Sequence, residues 1–177
     1  MKKLYFLGEN PTCDLFIQNP LGQILLIKRS ASAEACPSQL ALPGGFIDTS
    51  SKRNEFWLSG TESPSQAAIR ELKEETNLSL PLNSNILEIG IFEGNNRDPR
   101  DTSERWTKSF AFFYQIPENI FEEQKSSIRG LDDADEAKWF SLDKIDLLDI
   151  AFDHRNIISE GILKYIEPVS NSTKLKI

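Results

Sequence analysis

Glu62-Ser63-Pro64-Ser65-Gln66-Ala67-Ala68-Ile69-Arg70-Glu71-Leu72-Lys73-Glu74-Glu75-Thr76-Asn77-Leu78 is the stretch on which the fold turns. Its first residues agree on a helix start. Ser63 can cap exposed backbone N–H groups, Pro64 stands where a missing N–H costs nothing, and Gln66 can close a reciprocal capping box. The pattern predicts a helix over 63–76, with Ala67, Ala68 and Leu72 on its core-facing side. Glu71, Glu74 and Glu75 follow at spacings of three and four, so their carboxylates project from one side. Three like charges there repel by a few tenths of a kcal/mol per pair even in water. Two partners could offset that cost. One is Arg70, four residues before Glu74; the other is a hard divalent cation such as Mg²⁺, which takes oxygen ligands and is shared between carboxylates and phosphates. Taken alone, the segment reads more simply as a solvated acidic face with one salt bridge.

The surroundings reverse that preference. Upstream stands Leu42-Pro43-Gly44-Gly45-Phe46, a glycine turn leaving a strand, where a backbone can approach a ligand closely. Farther out, Thr12 to Gln18 and Gln23 to Arg29 are β-rich runs joined by the hairpin-like Asn19-Pro20-Leu21-Gly22. Leu40 to Ile47 continues the β pattern across the turn. Strands are expected over Ile86 to Phe92, Trp106 to Ile116 and, briefly, Ala137 to Phe140. Ala151 to Ile166 carries apolar residues at 152, 158, 162 and 166, a helical spacing. Strands outnumber helices without alternating strictly with them. The expected class is therefore α/β in the broad sense, or α+β: a sandwich around a mixed sheet.

Composition sets the outer limits. Hydrophobic residues make up 39% and charged residues 27%, the balance of a soluble globular chain. A net charge of −7 argues against a nucleic-acid backbone as partner, because that calls for a basic face. It says little about small anions, which metal ions or a few local arginines can bridge. Cys13 and Cys36 fit no zinc or CxxC spacing and read as reduced thiols. The apolar run Leu4-Tyr5-Phe6-Leu7 stops at Gly8, short of a signal core, and no stretch approaches a membrane span. The cytoplasm is the expected compartment.

Seven residues, 63 to 69, separate Glu62 from Arg70. With the glycine turn upstream, the segment resembles the Nudix box, G-x5-E-x7-R-E-U-x-E-E-x-G-U with U aliphatic. Glu62, Arg70, Glu71, Leu72, Glu74, Glu75 and Leu78 fall on that pattern. There are two departures. Sixteen residues, 46 to 61, stand where the pattern has five, so an insertion near 48–60, carrying Phe56-Trp57-Leu58, lengthens the loop. Loop length is tolerated thermodynamically; those aromatics could cover a substrate, join a homodimer interface or fill a local cluster. Asn77 replaces the last glycine, at a helix end where Asn tolerates the left-handed backbone.

The resemblance implies a single Nudix domain over 1–177, an α/β/α sandwich with helices on both faces of its sheet, the box at 44–78 and a flexible tail at 167–177. It implies hydrolysis of a diphosphate bond with Mg²⁺, or Mn²⁺ in its place. The metal would be held by Glu71, Glu74, Glu75 and the Gly44 carbonyl, with Arg70 orienting the glutamates and Glu62 supporting from the edge. The general base stays open between Glu71 and a later acid, the candidates being Glu122, Glu123, Asp132 and Asp133.

Leu25 to Ser30, Ala41 to Phe46, Arg97-Asp98-Pro99-Arg100-Asp101-Thr102 and Asp132-Asp133-Ala134 running into Ala137 to Phe140 resemble the ADP-ribose pyrophosphatase branch. Substrate contacts are accordingly expected at Arg29, Gly45, Phe46 and Arg100. The arginines suit bidentate pairing with phosphate, although a surface salt bridge explains each as well. Phe46 or Trp106 could stack on adenine; a strand aromatic is more often core. His154, among polar neighbours, reads as a surface or capping residue. Related proteins that bind such nucleotides as transcription regulators carry a winged helix as well; residues 167–177 are too few to supply one, so an enzyme is expected over a sensor.

Overall fold

The computed structural model describes Leu4 and residues 7–48, 62–81, 83–94 and 96–168. The Phe56-Trp57-Leu58 insertion and most of the tail lie outside the described residues, and with them the expectations attached to both.

Among the described residues, seven strands form one mixed sheet. They are β1 (Gly8–Gln18), β2 (Gln23–Arg29), β3 (Leu40–Ala41), β4 (Gly44–Phe46), β5 (Leu87–Glu93), β6 (Arg105–Gln115) and β7 (Ala134–Ser141). The order is β3-β2-β1-β6-β5, with β4 paired to β1 and β7 to β2. Among these described strands β1 and β6 alone run parallel, in register from Gly8↔Arg105 to Gln18↔Gln115; the other strand pairs are antiparallel.

Alternation along the strands divides the core in two. Cys13, Leu15 and Ile17 of β1, with Leu25 and Ile27 of β2, pack under helix α1 (Pro64–Thr76), against its Ala67, Ala68, Ile69 and Leu72. Phe16, Ile24 and Leu26 face the other way, against Ile157 and Ile158 of helix α3 (His154–Gly161). Burying each of these large side chains contributes roughly 1.5–3 kcal/mol. The expected sandwich, helices on both faces of a mixed sheet, is thus the architecture observed.

Helix α1 ends as its sequence indicates. Ser63 caps it with the full reciprocal box to Gln66, and Asn77 closes it at φ 61°. Other elements differ from expectation. Helix α2 (Glu118–Gln124) has no sequence signal because it is two turns long and buries Phe121 alone. Strand β7 runs past the expected 137–140 at both ends, paired with β2 from Gln23↔Ser141 to Arg29↔Ala134. The last helix starts at His154 rather than 151, because Phe152 takes a left-handed φ of 54°, and it loosens into a π-helical turn at Ile162–Ile166.

Candidate functional site

The acidic side of α1 meets β4, and there the carboxylates gather. Arg70 organises them. Its Nη1 donates to Glu71 Oε1 at 2.9 Å and to Glu74 Oε2 at 2.8 Å. Nε reaches Glu62, and Nη2 donates to the Phe46 carbonyl at 3.1 Å. Glu62 also accepts from the Asp48 N–H at 2.9 Å, so it braces Arg70 and the strand exit together. Burial opposes ionisation of Glu62, and the Arg70 and Asp48 hydrogen bonds overcome it, holding the carboxyl below its ordinary value.

Glu71 and Glu75 are in electrostatic conflict. Burial pushes Glu71 up to about 7, Arg70 pulls it back, and Glu74 and Glu62 add to the rise. Glu75 is more deeply buried. Its carboxyl is raised well above the ordinary value by burial, against the pull of the Gly44 N–H, which donates to Oε2 at 2.9 Å.

Both glycines of the turn are required by this approach. A Cβ on Gly44 would lie 2.2 Å from the Cys13 carbonyl oxygen, and one on Gly45 would lie 2.5 Å from Glu71 Oε1. The expected turn is in fact a short strand, paired Thr12↔Phe46 to Asp14↔Gly44 with β1, and the pairing brings it this close.

A cavity of about 360 Å³ opens over this junction. Its lining includes Gly44, Gly45, Phe46, Arg70, Glu71, Glu74, Glu75, Arg29 and Arg100, so nine of the ten residues singled out in the sequence share one space. Glu62, the tenth, stands behind Arg70. Asp132 and Asp133 also reach the cavity; Glu122 and Glu123 on α2 do not, nor does Trp106. Such a volume suits a small nucleotide.

The arginines are less free than their sequence context implies. Arg29 donates from Nε to the Ala35 carbonyl at 2.9 Å and lies 5.0 Å over the Phe152 ring. Arg100 pairs with both Asp98 oxygens, at 2.9 and 2.6 Å, and lies 5.3 Å over Phe46. For Arg100 to grip a phosphate it must exchange a carboxylate that it already holds.

Among the described residues no three acidic, histidine or cysteine side chains converge as a ready-made ion site. On α1, Arg70 pairs with Glu71 and Glu74. The donor chemistry nonetheless fits a hard cation: three carboxylates and a strand carbonyl line one cavity, and two of those carboxylates are buried beyond what Arg70 can satisfy.

Sequence reasoning overlooked a second cluster in the same cavity. Asp14, Arg97 and His154 are all buried, and Asp14 bonds to each of the other two. His154, expected as a surface or capping residue, is enclosed at the start of α3, which lies over the sheet. A signal existed: an aspartate within Thr12 to Gln18, whose neighbours are otherwise apolar, and whose alternation puts Asp14 on the inner face with Phe16.

The NUDIX domain model matches residues 9–160. The chain belongs to the Nudix family. Among curated Nudix relatives, an ADPR responsive transcriptional repressor of Acinetobacter baylyi is 28% identical over 80% of this chain and 47% of that protein. An ADP-ribose pyrophosphatase of Methanocaldococcus jannaschii is 34% identical over 78% of this chain and 64% of that protein. The chain therefore spans less than two thirds of either relative. Among solved structures, the NUDIX domain of Shewanella oneidensis NrtR complexed with ADP ribose superposes with a TM-score of 0.66, covering 88% of both chains at 22% identity, a likeness of fold. No described helix of this Nudix chain is long and apolar enough to cross a membrane.

Proposed function

We propose that this Nudix protein hydrolyses the diphosphate bond of a nucleoside diphosphate derivative, with Mg²⁺ or Mn²⁺, and that ADP-ribose is the substrate it serves. One cavity carries this assignment: it joins the acidic face of α1, the Gly44 carbonyl and several arginines in a space of nucleotide size. The activity of the Methanocaldococcus jannaschii relative and the ADP ribose in the Shewanella oneidensis complex support the choice of substrate.

Glu71, Glu74, Glu75 and the Gly44 carbonyl would hold the divalent cation, which supplies charge neutralisation at the phosphates and a more acidic water. Arg70 keeps Glu71 and Glu74 aligned from behind. Arg29 reaches the diphosphate from the Phe152 side, and Phe46, under Arg100, offers an aromatic face. The proton released by the attacking water passes to a cavity acid, either Glu71 or one of Asp132 and Asp133. The water oxygen bonds to one phosphorus as the bridging P–O bond breaks, and the products are AMP and ribose 5-phosphate.

Incubation with ADP-ribose, dinucleotides, nucleotide sugars and nucleoside triphosphates, with and without Mg²⁺, tests the proposal by product analysis. Metal-dependent release of AMP from ADP-ribose is expected, and replacing Glu74 and Glu75 with Gln should abolish it while the fold persists. Inertness toward every compound with magnesium present removes the reading.

The repressor from Acinetobacter baylyi favours a second reading, a nucleotide sensor that binds without cleaving. Calorimetric binding of ADP-ribose with no product after prolonged incubation would select it.

A further inference from the structure

His154 is the only histidine in the chain, and the reaction above makes no use of it. It opens α3, buried, and its ring joins segments far apart in sequence. Nδ1 accepts a hydrogen bond from the Leu42 backbone N–H at 2.9 Å, and Nε2 lies 3.1 Å from Asp14 Oδ1. A ring nitrogen that accepts from an N–H carries no proton, so the proton sits on Nε2 and is donated to Asp14. Asp14 is fixed in turn. Its Oδ2 accepts from Ser109 Oγ and from Arg97 Nη2, and Arg97 is clamped by Asp153, the residue before His154.

Leu42 begins the turn on which the acidic site depends. Two residues later Gly44 pairs with Asp14 across β4 and β1 and donates its N–H to Glu75. A displacement of the Leu42 amide therefore reaches the Gly44 carbonyl and the Glu75 carboxylate together. The approach to His154 is tied to the same region: Leu40 N–H donates to the Asp149 carbonyl at 3.0 Å, and Ala151 N–H donates to the Leu40 carbonyl at 2.8 Å. Between these tethers and the ring stands Phe152, at a φ of 54° that a bulky side chain adopts only where its surroundings impose it. The strained turn delivers the imidazole to the Leu42 amide.

We propose that His154, oriented by Asp14, is a positioning residue for the Leu42–Gly45 turn, and that through Leu42 it sets where the Gly44 carbonyl and the Glu75 carboxylate meet a divalent cation. The inference rests on the metal-dependent reading above. It differs from a purely structural role, which would lower stability and leave the affinity of the folded protein for metal unchanged.

Three substitutions separate the links of the relay. His154→Ala removes both hydrogen bonds. His154→Asn keeps an acceptor where Nδ1 stands, whereas His154→Gln reaches toward Asp14 and leaves Leu42 without an acceptor. Binding of Mn²⁺ is followed by electron paramagnetic resonance, at a temperature where circular dichroism finds every variant folded. His154→Ala and His154→Gln should weaken binding by about tenfold or more, the scale of removing a group that orients a metal ligand. His154→Asn should recover most of that loss. With active protein, the metal concentration needed for half-maximal rate should rise in the same order, while KM for ADP-ribose at saturating metal stays constant.

The lone histidine also gives a spectroscopic readout in the unaltered chain, for ¹⁵N-labelled protein should show a proton on Nε2 and a bare Nδ1. Unchanged Mn²⁺ affinity in His154→Ala, no recovery in His154→Asn, or a protonated Nδ1 overturns the relay and leaves the hydrolase reading intact. Failure of the unaltered chain to bind Mn²⁺ removes both.

Discussion

Glu71 concentrates the physical conflict of the site in one carboxyl group. Burial raises it, Arg70 lowers it, and Glu74 and Glu62 raise it again, leaving it at about 7 against an ordinary 4.5. Between those values the folded chain holds a proton that the unfolded chain has released. The linked stability is fully present below the unfolded value and is lost as pH rises through the folded one. In chelator, Glu71→Gln should therefore match the parent near pH 4.5 and exceed it above pH 7, by on the order of 1–3 kcal/mol. Magnesium should reverse the order above pH 7, stabilising the parent and not the variant. Urea unfolding at the two pH values, with and without metal, measures this; a gap independent of pH would mean that the carboxyl is not in conflict. The sequence displayed the cause only in part. Spacing put Glu71, Glu74 and Glu75 on one side of α1, but the depth of each depends on how closely β4 approaches, and that follows from Gly44 and Gly45 having no Cβ.

At the scale of elements, α1 was readable because every local preference along it agrees. Ser63 Oγ accepts from the Gln66 N–H and Gln66 Oε1 accepts from the Ser63 N–H at 2.8 Å, while Asn77 supplies the left-handed end and donates from Nδ2 to the Ser127 carbonyl. Ser63→Ala should cost about 1 kcal/mol, which in a chain of this length lowers Tm by roughly 2–4 °C. The helix holds the carboxylates, so fraying at its start should leave catalysis below Tm unaltered. An unchanged Tm by calorimetry would mean that the box adds nothing to what tertiary packing supplies. The elements that escaped sequence reading lack such agreement. Helix α2 buries one side chain and shows no periodicity, and the start of α3 is displaced by the Phe152 backbone, a tertiary effect with no local signature.

For the whole molecule, a net charge of −7 poses the question of how an anion enters a cavity walled by glutamates. The sequence located the acidic wall, since one helix carries it. It did not reveal the Asp14–Arg97–His154 cluster, whose members come from β1, the loop before β6 and the start of α3 and meet only in three dimensions. That cluster leaves Arg97 neutralised by Asp14 and Asp153, and Arg100 is paired to Asp98, so these two of the arginines facing the cavity are committed before a substrate arrives and Arg29 carries more of the approach. An anionic diphosphate would then draw on a divalent cation held by Glu71, Glu74 and Glu75 for its attraction, and the phosphate oxygens would in turn suit that hard cation. The two should bind with positive coupling, and by linkage each must favour the other by the same factor. With a methylene-bridged, uncleavable ADP-ribose analogue, neither Mg²⁺ alone nor the analogue alone should raise Tm much. Together they should raise it by more than the sum, since saturation to a hundred times Kd stabilises the folded state by about 2.7 kcal/mol. If the analogue raises Tm as far in chelator as in magnesium, the arginines suffice by themselves, and the metal serves chemistry rather than binding.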